Sequence, residues 1–151
     1  MQSDAQNLTN QPGHVLRSIG AVVAGLVFIV ILHTLADVLM HALGIFPPWF
    51  QYMPDSLFLL ATAYRSVFSI LGCYVTARLA PNRPMLHALI LGAIGVVLSF
   101  AGAAATWNKG REFGPRWYSI ALIILSLPLS WLGGKIRIMQ LRTNRNSHDS
   151  Y

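Results

Sequence analysis

The sequence predicts an all-α, four-helix transmembrane bundle, and three observations carry that expectation. Hydrophobic residues make up 54% of the 151 and charged residues 11%, with a mean hydropathy of +0.52, a balance foreign to water-soluble domains. The apolar residues gather into four runs, each long enough to cross a hydrocarbon core of about 30 Å. Lys and Arg fall between those runs, and only Asp37 and Arg65 lie clearly within them. A chain of this length allows one domain: a polar tail at 1–17, a transmembrane domain at 18–134 and a basic tail at 135–151.

Residues 1–17 are polar, rich in Gln and Asn, and contain Pro12-Gly13. The first span covers about 19–43, too long for a signal-peptide core and without a small-x-small cleavage site. At 1.5 Å per residue it is roughly 37 Å long. Ala21 and Gly25 form a small-xxx-small pair suited to close helix contact. Gly44 ends this span. The next ten residues, Ile45 to Pro54, hold three prolines and four large aromatics with no Lys or Arg, the composition of an anchoring loop in the headgroup region.

Asp55 or Ser56 offers the N-cap of a second span at about 57–79. Arg65, Ser69, Gly72, Cys73 and Thr76 recur there at helical spacing and form one small or polar face, which belongs inside a bundle. The short turn from Ala80 to Pro84 forces an antiparallel neighbour. The third span, about 85–106, carries Gly92, Gly95, Ser99, Gly102 and Thr106 as a stripe of small residues, expected to face neighbouring helices. A polar loop follows. The fourth span, about 117–134, contains Pro128, expected to bend it, with Ser126 and Ser130 near enough to resatisfy freed carbonyls. Gly133-Gly134 closes it. The basic, partly apolar segment beyond is expected to rest on anionic lipid.

The net charge of +6 and pI near 10.1 raise nucleic acid as a partner. The basic residues flank apolar spans and make no continuous face, so they read instead as topology signals and contacts to anionic head groups. Four spans put both termini on one side, with Arg17, Arg78, Arg83, Lys135, Arg137, Arg142 and Arg145. The other side has Lys109, Arg111 and Arg116. That excess predicts cytoplasmic termini. Cys73 is the sole cysteine, so no intramolecular disulfide forms.

Ala63-Tyr64-Arg65, the run from Gly72 to Pro81, Pro84-Met85 with His87-Ala88, Trp117-Tyr118, and Leu127-Pro128 through Trp131 to Gly134 resemble a group of small bacterial four-span membrane proteins. The likeness covers the second to fourth spans. It implies a bacterial inner-membrane location and this architecture, and it brings no catalytic residue.

The candidate site is an intramembrane polar cluster. His33, Asp37 and His41 are spaced i, i+4, i+8 and share one helical stripe. With a boundary near residues 43 and 57, Asp37 lies roughly 10 Å deep and Arg65 roughly 12–13 Å deep on antiparallel helices. Each charge costs about 2.5–3.5 kcal/mol at the bilayer centre, so an ion pair is expected, with room for His33 or His41 to join. A metal site fails on geometry. His33 and His41 stand about 12 Å apart along the axis against metal bonds of about 2 Å, and Asp37 with His41 and Asp55 lacks a fourth good ligand. No cofactor is implied. The sequence also lacks the zinc-protease, nucleophile-elbow, phosphate-loop and Cys-x-x-Cys motifs, so no enzyme is expected. The favoured reading is a non-enzymatic accessory or partner-binding subunit with a dry ion pair. The alternative is a proton- or ion-coupled transporter or channel, working as a homo-oligomer, with a water-accessible cavity reaching Asp37.

Overall fold

A computed structural model describes residues 12–148, and these are all-helical apart from the connections. Helix α1 is Pro12–Ala42, α2 is Asp55–Leu79, α3 is Pro84–Thr106 and α4 is Arg116–His148, with one turn of 3-10 helix at Arg111–Phe113. All four are long and apolar enough to cross a membrane. The fold is a four-helix transmembrane bundle. Residues 1–11 and 149–151, parts of the expected tails, lie outside the described residues.

Successive helices run antiparallel. α2 packs against all three others, while α1 lies against α2 and, less extensively, α3. Loop 43–54 and loop 107–115 therefore share one end of the bundle, and the 80–83 turn shares the other with the two ends of the chain.

Local chemistry accounts for each stop. At the end of α1, Gly44 takes a left-handed φ of 69°. Its N–H donates to the His41 carbonyl and that of Ile45 to the Met40 carbonyl (3.1 and 3.0 Å), the two bonds of a Schellman cap. α2 begins differently from expectation. Pro54 occupies the cap position and Asp55 is the first helical residue, with no side-chain cap bond. The Asp55 carboxylate instead binds Arg111 of the other loop at 2.9 Å. At the far end Ala80, which precedes Pro81, is extended, as the residue before a proline prefers. Pro84 opens α3 at its first turn, where a missing N–H costs nothing.

The terminal helices outrun their expected bounds. α1 is already helical at Pro12, and α4 continues through Gly133-Gly134 to His148. These glycines are contact points rather than a stop. A methyl group on Gly133 would come within 2.6 Å of the Ile70 carbonyl oxygen and 2.8 Å of Cys73 Cβ, and one on Gly134 within 2.9 Å of Met85 Sδ. The residues that follow directly, Lys135 to Arg142, are mostly Lys, Arg, Met, Gln and Leu, which have good helix propensity. The basic segment thus extends the axis of α4 beyond the bundle, with Arg142 and Arg145 exposed. α4 is also continuous past Pro128. Ser130 donates to the Leu127 carbonyl (2.8 Å), so neither it nor Ser126 reaches the carbonyl of Ile124 that Pro128 leaves free.

Packing differs between the two halves of the bundle. Toward the chain ends, Cys73, Ala77, Ala88 and Leu91 form a buried cluster with Val22, Leu26 and Ile29 against it. Gly25 lies on Thr76 and Gly72, Gly72 on Ile29, and Gly92 on Ser130, each with too little room for a methyl. In lipid such close backbone approach supplies the dispersion contacts that hold helices together. Toward the loops the small-residue stripe of α3 loses its partners. A methyl on Gly95 would meet Ser126 Oγ at 2.6 Å, but nothing lies within 4 Å of Gly102, which is exposed. Gly102 is therefore no packing residue, because α3 at that level presents it away from its neighbours.

Candidate functional site

The open half of the bundle holds the polar cluster. Antiparallel pairing brings Asp37 of α1 level with Tyr64 and Arg65 of α2. Each carboxylate oxygen takes one donor: the Tyr64 hydroxyl donates to Asp37 Oδ1 and the Arg65 guanidinium to Oδ2. The pair forms a charge-assisted contact with Arg65 engaged through one nitrogen. Its Nε is buried and has no hydrogen-bond partner.

The histidines take other roles than joining the carboxylate. His33 donates from Nε2 to the backbone carbonyl of Arg65 (3.2 Å), fixing the height at which the guanidinium leaves α2. The His41 ring lies against Trp49 (3.6 Å between centroids, 65°) and Phe46 (5.5 Å, 72°). His41 Nδ1 is buried and unpartnered. Among the described residues, no three of His, Cys, Asp and Glu gather into a metal-holding group.

Arg65 and Asp37 are partly accessible, their side chains 26% and 21% exposed. The space beside them is a cavity of about 230 Å³ at the loop end. Asp37, Arg65, Tyr64, His41, Tyr118 and Gln51 supply its polar groups, and Phe46, Trp49, Phe50, Phe58 and Phe113 much of its apolar wall. The two loops build the rim together. Phe50 meets Phe113 (6.0 Å between centroids), Arg111 holds Asp55 and lies over the Tyr52 ring (5.7 Å), and Lys109 lies over Phe113 (4.8 Å). Below the rim Phe58 packs on Tyr118 (5.1 Å).

The chain matches no protein-family model, no curated protein and no solved structure. The geometry therefore carries the functional reading.

Tyr64 and Tyr118 are site residues that sequence reasoning did not select. Tyr64 adjoins Arg65, and that adjacency was the available signal. A tyrosine in an apolar run serves as readily at the membrane interface. Tyr118 reaches the cavity only through the packing of α4 on α2, which no local pattern encodes. The loop aromatics were read as interfacial anchors, and their place on the rim depends on contact between loops far apart in sequence.

Proposed function

We propose that the protein is a non-enzymatic translocator of a proton or small ion, entered at the loop end, with Asp37, Arg65 and Tyr64 at the floor of its entry vestibule. The supporting observation is the cavity: a purely structural ion pair needs to be dry and fully satisfied, whereas this one is accessible and leaves Arg65 Nε and His41 Nδ1 without partners. Ionisable groups at membrane depth beside a water-accessible space mark transport paths by default. Four helices are few for a carrier, so the reading includes a homo-oligomer. The excess of Lys and Arg at the chain-end side, with the likeness to small bacterial four-span proteins, supports an inner-membrane location with cytoplasmic termini. The vestibule then opens away from the cytoplasm.

The test is flux in proteoliposomes loaded with a pH-sensitive dye. Under an imposed potential the protein should pass protons or a co-ion, and Asp37→Asn should abolish the proton component. No flux above that of empty liposomes, together with a membrane protein that co-purifies at fixed stoichiometry, would replace this reading with the accessory-subunit one.

A further inference from the structure

Beyond the vestibule, at mid-depth, the bundle contains a second cavity of about 200 Å³ among all four helices. That is far above the roughly 10–15 Å³ that one water requires. Arg65 lines both cavities. Arg65 thus stands between a vestibule that contains a carboxylate and an inner chamber that does not.

The chamber's polar groups are Arg65, His33 and four serines: Ser66, Ser69, Ser99 and Ser126. Three of these six already have partners: Ser66 the Thr62 carbonyl (2.7 Å), His33 that of Arg65, and Arg65 the Asp37 carboxylate. The hydroxyls of Ser69, Ser99 and Ser126, contributed by α2, α3 and α4, have no hydrogen-bond partner in the protein. The rest of the lining is apolar, and no Asp or Glu belongs to it. In water-poor surroundings, unused hydroxyl donors beside Arg65 favour negative charge. Toward the chain ends the chamber is closed by the cluster around Cys73 and Leu91.

We infer that this inner chamber is a binding site for a small monovalent anion, held by Arg65 and the hydroxyls of Ser69, Ser99 and Ser126. The inference names the substrate class of the translocator and rests on that reading for the entry path, though binding can be measured without it.

Charge balance adds a consequence. The Arg65 charge is already matched by Asp37, so an anion in the chamber competes with that carboxylate for the guanidinium.

The experiment is calorimetric titration of the full-length protein in detergent with potassium nitrate and potassium chloride, at ionic strength held constant with gluconate, whose many hydroxyls would have to shed their water to enter a largely apolar chamber. Saturable binding is expected. It should weaken roughly ten-fold or more in the Ser69→Ala/Ser126→Ala double variant, the effect of losing hydrogen bonds to a charged group. Ser99→Ala alone provides a milder variant if the double change lowers the yield of folded protein. Asp37→Asn, which removes the carboxylate that competes for Arg65, should bind the anion more tightly than the wild type, whereas His41→Ala should bind as the wild type does. No heat above the gluconate control, or equal affinity in wild type and Ser99→Ala, would overturn the inference. Proton flux without anion binding would leave the translocator reading standing alone. Anion binding without flux would do the reverse.

Discussion

Asp37 could be found from sequence because depth and scarcity isolate it, and the same is true of Arg65. A charge about two turns inside an apolar run is expensive, and two opposite charges at matching depth have few ways to lower that cost other than meeting. What sequence could not supply is how each oxygen and nitrogen is used. Asp37 gives its second oxygen to Tyr64 rather than to a histidine, and His33 binds backbone instead. The stripe argument places side chains on one face of a helix but does not decide which of them a neighbouring helix will meet. In a double-mutant cycle, Asp37→Asn and Arg65→Gln should each destabilise, and the double variant should lose less than their sum. Because the pair is partly accessible, each loss should be about 2 kcal/mol, below the roughly 3–5 kcal/mol of a fully dry pair. Additive losses in thermal melts would separate the two roles. Tyr64→Phe removes one hydrogen bond to a charged acceptor and should cost about 1.5–3 kcal/mol.

Among the elements, four helices and their order were legible, since apolar runs bounded by Gly and Pro leave little ambiguity in lipid. The ends of α1 and α4 were not. Gly133-Gly134 resembles a helix stop in sequence, and a glycine that admits a neighbouring backbone has the same identity as one that ends a turn. The stripe on α3 packs at Gly92 and Gly95 but not at Gly102, for a related reason: it extends toward the loops, but the neighbour it needs does not accompany it. Gly133→Ala should therefore lower the melting temperature in detergent through overpacking worth roughly 1–3 kcal/mol. Gly95→Leu should also destabilise, while Gly102→Leu should stay within about 0.5 kcal/mol of wild type. A large loss at Gly102 would mean that a second copy of the chain covers that face.

For the whole molecule, the contrast between a glycine-packed half and an open half was not legible along the chain, because Gly92, Gly95 and Gly102 look alike in one helix and only Gly92 and Gly95 meet a neighbour. It emerges only when side-chain volumes from different helices are brought to the same level. Reporter fusions at residues 1 and 151 should both score cytoplasmic; external signals at both would reverse the direction in which the vestibule faces, and signals on opposite sides would overturn the four-span topology. The pairing of Asp37 and Arg65 on consecutive helices also bears on biogenesis. The carboxylate, its tyrosine, its guanidinium and the histidine that braces it all belong to α1 and α2. The first hairpin can therefore leave the insertion machinery with its charges already neutralised, while α3 and α4 are still being synthesised. Neither α1 nor α2 need enter lipid carrying an unmatched ion, and a ribosome stalled beyond the 80–83 turn should hold a hairpin already stable in the bilayer.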